Sequence, residues 1–213
     1  MANPTAAMLV IGDEILSGRT HDSNTHYLAG LLTAHGIDLA EARVVADDKP
    51  AIIAAVRALS EHYTHVFTSG GIGPTHDDIT ADAIAEAFGV GIDIRDDARA
   101  ILEAYIAARG VEVTPARLRM ARIPDGAALI DNPISAAPGF TIGNVHVCAG
   151  VPKIFQAMAS GVVATLAAGT PRLSQTFRVS QPEGDIASPL ADLAAADPEL
   201  SSGSYPFNED GVL

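Results

Sequence analysis

Cysteine is nearly absent: the 213-residue chain has one, Cys148. No disulfide framework and no cysteine-ligated metal centre can form within one chain. Cys148 sits in the apolar run Val145-His146-Val147-Cys148-Ala149 and reads as a buried strand residue, because buried thiols are common and usually inert. Basic residues are scarce too, with 13 Lys and Arg against 26 Asp and Glu and a net charge of −13. That balance disfavours nucleic acid as a partner, since such binding neutralises phosphates with Lys and Arg. The acidity is spread along the chain, as on an ordinary solvated surface. No apolar run approaches the ~18 residues of a membrane helix, so no membrane partner is expected. The N-terminus, Met1-Ala2-Asn3-Pro4-Thr5, has no basic region before an apolar stretch, which makes the cytoplasm the expected compartment. The seven histidines form no H-x-x-x-H or H-E-x-x-H pair, and Ser69 has no Gly-x-Ser-x-Gly frame. No internal repeat is evident.

What the chain does have is a strand, a glycine turn and an acidic helix start. The apolar run His65-Val66-Phe67 reads as a buried strand. Thr68-Ser69-Gly70-Gly71-Ile72-Gly73-Pro74-Thr75-His76-Asp77-Asp78-Ile79-Thr80 follows it. Apolar residues at 79, 83, 84, 87 and 88 then keep helical spacing. In an open α/β sheet, ligands bind beyond the carboxyl end of such a strand. Glycines at 70, 71 and 73 free the backbone, and the amides of such a turn can cradle a phosphate. Thr75 is a fair N-cap, with Asp78 in the place of a capping-box acid, and Asp77 and Asp78 lie at the positive end of the helix dipole. Neither the lysine-bearing phosphate loop nor the dinucleotide fingerprint is met. No Lys or Arg occurs between Arg57 and Arg95, so a phosphate here meets amides and two carboxylates with no local cation. A divalent metal would relieve that repulsion, and magnesium is commonly held in this way. The plain alternative is a tight turn and a capped helix. His76 reads as a turn residue.

A second turn of the same kind comes earlier. Ala6 to Ile11 reads as a strand that ends in Gly12-Asp13-Glu14-Ile15-Leu16-Ser17-Gly18. Leu28, Leu31 and Leu32 then space a helix that stops near Gly36. If the two strands are neighbours, Asp13 and Glu14 face Asp77 and Asp78. Asp22, Ser23 and Asn24 serve equally as helix caps. Asp38 to Ala46 is a strand; Asp47 and Asp48 precede Pro50 and a helix with Ile52, Ile53, Val56 and Leu59 on its apolar face. The alternation predicts an α/β fold, a mostly parallel sheet with helices on both faces. Further on, Asp96 to Arg109 reads as a helix and Thr114-Pro115 opens a short one. Ala127 to Ile130 and Phe140 to Ala149 read as strands around the loop Asp131 to Gly139. Pro138-Gly139 is a turn signal; Pro152 starts a helix whose N-terminus is also an anion site. A main domain is expected over residues 1–170 and part of a small α+β domain over 171–213. In the latter, Thr176 to Val179 reads as a strand, Glu183 to Ala195 as a helix burying Ile186, Leu190 and Leu193, and Ser201 to Pro206 as a second strand.

Gly70-Gly71-Ile72-Gly73-Pro74-Thr75 with Asp77-Asp78-Ile79-Thr80 resembles the signature of the molybdopterin-binding fold, and most of all its competence/damage-inducible protein A (CinA) branch. Ile72 replaces the usual Leu. Gly12-Asp13-Glu14, Asn24 and Asp47 match further family positions. Asn132 with Ala137-Pro138-Gly139 resembles the family's Asn…Gly-Thr-Ala-Pro-Gly segment, although Ile134-Ser135-Ala136 departs from its small Gly-Thr. Gly150-Val151-Pro152 matches Pro-Gly-Val-Pro with Ala149 in place of the first proline. The resemblance spans roughly residues 6 to 206. It implies a three-layer α/β/α fold like MoaB and MogA, then the start of a small α+β domain, without the amidohydrolase domain of full-length members. It implies metal-dependent hydrolysis of a nucleotide pyrophosphate such as ADP-ribose, with magnesium or cobalt. Asp78 and Asp77 would be catalytic, and Asp13, Glu14 and Asp78 would hold the metal. The ligand would be bound by Gly70, Gly71, Gly73, Pro74, Thr75, Asn24, Asp47, Pro138, Gly139, Gly150 and Pro152. Other members of the fold bind molybdopterin or adenylylate it with ATP and magnesium, so a pterin ligand, with or without catalysis, is the alternative. Oligomers are usual in the fold, so a homo-oligomer is implied, dimer or trimer.

Overall fold

The computed structural model describes residues 2–197 and 200–205. In chain order, β1 (Thr5–Ile11) leads through the short α1 (Asp13–Leu16) to α2 (Asn24–Ala34), β2 (Asp38–Val45), α3 (Lys49–His62) and β3 (His65–Ser69). Then come α4 (Thr80–Phe88), β4 (Ile92–Ile94), α5 (Asp96–Ala108), α6 (Pro115–Leu118) with a 3-10 turn over Arg119–Ala121, and β5 (Arg122–Pro124). β6 (Ala128–Ile130), β7 (Gly139–Ile142), β8 (Val145–Cys148), α7 (Pro152–Val163) and α8 (Glu183–Ala196) complete the set.

β1 is buried from Ala6 to Ile11. A strand apolar on both faces belongs inside a covered parallel sheet. β2 alternates half-buried and exposed residues, as an edge strand does. The six-stranded sheet accordingly runs β2-β1-β3-β8-β7-β6. The first four strands are parallel, and β7 and β6 are antiparallel additions. The period of two divides the strand side chains between two cores. Ala7, Leu9, Ile11, Val66, Val145 and Val147 pack against Ile52 and Val56 of α3, Ile84 of α4 and Leu102 of α5. Ala6, Met8, Val10, Phe67 and Cys148 pack against Leu28 and Leu32 of α2 and Phe155 and Met158 of α7. This is the expected three-layer α/β/α arrangement with a mostly parallel sheet.

Three expectations need correction. Phe140 to Ala149 is a hairpin, not one strand: β7 and β8 turn at Gly143-Asn144, where Gly143 takes φ +55°. Asn144 Nδ2 donates to the Ser60 and Tyr63 carbonyls at 3.0 and 2.8 Å, fastening that turn to the end of α3. The antiparallel ladder β4–β5 went unforeseen, because three-residue strands leave almost no periodic signal. Residues 171–180 and 201–205 are irregular, so neither expected small-domain strand forms there; Pro206 lies outside the described residues. α8 forms but buries none of its residues: Ile186 and Leu190 are half-buried and Leu193 is exposed.

One compact unit ends at Arg172 and a second begins at Leu173. The end of the first is tied down. Thr170 exchanges two hydrogen bonds with the Asn3 amide, and Arg172 pairs with Asp38. Among the described residues no helix is long and apolar enough to cross a membrane.

Candidate functional site

The parallel strands β2, β1, β3 and β8 end together, and the candidate site is built on those ends. Gly12, just past β1, donates its amide to the Val45 carbonyl of β2 at 3.1 Å. Gly70, just past β3, has φ +110°, and a Cβ there would run into the Ile11 carbonyl oxygen. No other residue fits that approach. On its other side, a Cβ at Gly150 would lie 3.2 Å from Gly70 Cα. The glycines thus let three strand ends close up to backbone contact.

Asn24, at the start of α2, ties the same ends together. Its Nδ2 donates to Ser69 Oγ and to the Gly150 carbonyl, each at 2.8 Å. A carbonyl can only accept, so the amide nitrogen must face Gly150 and the orientation is fixed. Asn24 is 95% buried, its exposure being 5%, yet its Oδ1 is buried with no partner in the protein. Capping of this helix falls to Asp22, whose Oδ1 accepts from the Asn24 and Thr25 amides; Ser23 makes no side-chain cap.

The glycine turn folds back on the next helix. Thr80 donates Oγ1 to the Gly70 carbonyl and its amide to the Gly71 carbonyl, both at 3.0 Å, and is fully buried. Gly71 has φ +69°, and a side chain there would strike the Thr80 hydroxyl. Thr80 lies within the motif, yet one threonine opening a helix carries no signal of its own in the sequence. The capping expectation is corrected here. α4 starts at Thr80 with no side-chain cap. Thr75 and Asp78 instead close a separate turn: Asp78 Oδ2 accepts from the Thr75 amide at 2.8 Å and from its hydroxyl at 2.5 Å. Asp77 and Asp78 are therefore loop residues ahead of the helix. That hydroxyl has one proton and two carboxylates near it. Besides bonding Asp78, its proximity is the main reason the Asp77 carboxyl lies below the usual range.

Asp13 and Asp47 meet across β1 and β2, where the Asp13 amide donates to Asp47 Oδ2 at 3.0 Å. The Asp47 carboxyl is raised above its ordinary range, first by burial. The Asp13 amide opposes that rise, and the negative charges of Asp13, Glu14 and Asp77 add to it. Residues that follow two neighbouring strands, β1 and β3, thus act on one carboxylate at the end of β2. Their hard oxygen donors suit a cation such as magnesium. No group of three or more His, Cys, Asp or Glu among the described residues is drawn together to hold a metal ion.

Beside the turn, a pocket is lined by Gly71, Gly73, Asp78 and Asp82 together with Arg119, Arg122 and Pro138. The expectation of no local cation is overturned. The cations come from the 3-10 turn and β5, far along the chain, because β5 packs against α4. Arg122 pairs with Asp82, and Arg119 Nη2 reaches the Asp78 carbonyl at 3.4 Å. Other expected residues have structural work. A Cβ on Gly139 would meet the Val147 carbonyl, so that glycine lets the hairpin close on itself. Pro152 is the exposed first residue of α7, and Pro74, Thr75 and His76 are exposed. Asn132 is consumed by its own loop, bonding Ser135, Ala137 and Ile134. Cys148 is buried, and burial pushes its thiol up to about 12, as expected of an inert strand residue.

A family model described as a probable molybdopterin binding domain matches residues 7–169. The chain belongs to the molybdopterin-binding domain family. Within it, the CinA branch is close: a crystal structure of the protein CinA from Thermoplasma acidophilum superposes with a TM-score of 0.67 at 37% identity, covering 72% of this chain and 93% of that one. A CinA-like protein of Myxococcus xanthus is 33% identical over 92% of this chain, which spans half (50%) of that protein's length. The molybdopterin biosynthesis enzyme MoaB from Thermus thermophilus, at 18% identity and a TM-score of 0.51, shares the fold; the match covers 76% of this chain and 91% of that one.

Proposed function

We propose that this molybdopterin-binding domain holds a phosphorylated small molecule at the glycine turn and hydrolyses the pyrophosphate of a nucleotide such as ADP-ribose with a divalent cation. The observation that carries this reading is geometric: the Asp13 amide bonds Asp47 Oδ2 at 3.0 Å at the strand end whose Ile11 carbonyl the glycine turn closes on at Gly70. Burial first, and then the charges of Asp13, Glu14 and Asp77, disfavour the ionised Asp47, and a cation would offset both. Asp13 and Asp47, already joined through the Asp13 amide, would hold it with Glu14 and Asp77, which a cation would have to draw in, since no three of these groups stand together in the described residues. A bound divalent metal supplies charge neutralisation at the diphosphate and an activated water.

The protein's own groups do the rest. The Gly71, Ile72 and Gly73 amides take no part in the hydrogen bonds that close the turn, which leaves them for phosphate oxygens. Thr80 fixes the carbonyls of Gly70 and Gly71, so those amides hold their direction. Asp78 commits Oδ2 to Thr75 and keeps Oδ1 outside those bonds. It is the acid whose loss should stop turnover. The unpartnered Asn24 Oδ1 is an acceptor for a ligand hydroxyl or N–H near Gly150.

A second reading, molybdopterin binding or adenylylation in molybdenum cofactor biosynthesis, is favoured by the description of the matching family model. Incubation of the protein with ADP-ribose, with and without magnesium or cobalt, separates the two. Metal-dependent release of AMP supports hydrolysis. Folded protein that releases none overturns it in favour of the pterin.

A further inference from the structure

We propose that Arg119 and Arg122 form an anion subsite that takes a phosphate of the ligand in the pocket beside the glycine turn. The proposal deepens the reading above and rests on it for the identity of the ligand. Acidic residues outnumber basic ones 26 to 13, and among the described residues Arg43, Arg95, Arg99, Arg122 and Arg172 pair with carboxylates. Arg119 does not. Its one bond is the 3.4 Å contact from Nη2 to the Asp78 carbonyl, which is long for a hydrogen bond. Its Nε is buried with no partner, and the same holds for Nε of Arg122, whose Nη2 is committed to Asp82. Each guanidinium is anchored by one nitrogen and leaves another donor unmet.

An unmet buried donor is costly, and the planar guanidinium fork matches phosphate oxygens in pairs. Both arginines line the pocket with Gly71, Gly73, Asp78 and Asp82. Asp78 of the turn and Asp82 of α4 set two carboxylates beside a ligand; with the two arginines the formal charge of the lining is balanced. An anion drawn into the pocket would meet glycine amides and guanidinium donors together. The plain alternative is that Arg122 only neutralises Asp82 and Arg119 only ties down the Asp78 carbonyl. In that case their loss would alter stability and leave anion affinity alone.

The test is calorimetric binding of inorganic diphosphate to the full chain without added divalent metal, over a series of salt concentrations. The wild type should bind, and Arg119→Gln should weaken binding roughly tenfold to a hundredfold, the worth of a charged hydrogen bond. Its salt dependence should fall as well, which a purely structural role would not produce. Arg119→Lys should recover part of the affinity, since it restores the charge without the fork. Asp82→Asn with Arg122→Gln removes the second guanidinium without stranding its partner and should also weaken binding. Competition by ADP-ribose or by neopterin monophosphate tells a nucleotide from a pterin source. No diphosphate binding by the wild type overturns the proposal, as does unchanged affinity in folded Arg119→Gln, or diphosphate binding that neither organic phosphate displaces. Because no metal is present, loss of the hydrolysis reading leaves this result standing, and AMP release with arginine-independent binding sinks the subsite alone.

Discussion

Two titrating residues make opposite predictions. His146 is buried between Phe67 and His65, with Thr141 Oγ1 3.0 Å from its Nδ1. Burial first, then the charge on His65, pushes it down to about 4. The unfolded chain binds this proton from about pH 6.5 downward and the folded protein only near pH 4, so stability falls as the pH drops through that window. The difference is worth about 3 kcal/mol. His146→Phe should flatten the dependence, read by urea unfolding at pH 7 and pH 4.5; a profile unchanged from wild type refutes the assignment. Asp47 has the reverse sign. Its folded carboxyl is raised, so its ionisation costs stability as pH rises through its titration. Asp47→Asn keeps an acceptor for the Asp13 amide, and its melting temperature at pH 7 should exceed that of wild type. A lower one would mean that neither burial nor neighbouring charge penalises the ionised carboxylate.

At the scale of the element, the turn between β3 and α4 is held by two devices that differ in what they tolerate. Gly70 is a backbone device: its φ of +110° and its contact with the Ile11 carbonyl admit no side chain. Gly70→Ala should cost at least about 1–3 kcal/mol from the dihedral alone, with the clash added, so little folded protein is expected on denaturant titration. Thr80 is a side-chain device. Thr80→Val keeps the shape and removes the hydroxyl that reaches the Gly70 carbonyl. A loss of about 1 kcal/mol is expected, rising toward ~3 if the carbonyl is left unpaired. Ligand affinity should drop with it, because the turn amides lose their fixed direction. Full affinity in this variant would mean that the turn is held from elsewhere.

Across the whole molecule, the acidic group exists only once the sheet has formed. Asp13 and Asp47 come from two chain segments, joined by the parallel pairing of β1 and β2, and Asp77 follows β3, the next strand in the sheet. A divalent cation that binds there binds the folded state alone and should stabilise the entire unit, by about 1.4 kcal/mol at ten times its dissociation constant. Magnesium should raise the melting temperature and chelation should reverse it, with Asp13→Asn and Asp77→Asn each blunting the rise. A melting temperature indifferent to magnesium and cobalt would remove the cation from the reading. Asp78→Asn should lower metal-dependent turnover roughly a hundredfold or more while the protein remains folded.

The sequence by itself determined the alternation of strands and helices from β1 to α4, the mostly parallel sheet and the glycine turns that end β1 and β3. Those features are local: a two- or 3.6-residue period and a glycine where a side chain cannot go are written in consecutive residues. It also named Asp13, Asn24 and Asp47, although capping explained Asn24 and Asp47 equally well. Only the tertiary structure decided what these residues touch. The hairpin at Gly143-Asn144 carried a legible turn signal that the surrounding apolar run concealed. The irregular residues 171–180 show the converse, since strand-like composition makes no strand without a partner to share its ladder. The spacing put Thr75 on the helix as a cap, and the fold closed it into a turn with Asp78. No spacing rule joins Arg119 to Gly73; β5 packing on α4 does, and with it the acidic turn gains the cations that its own stretch of chain lacks.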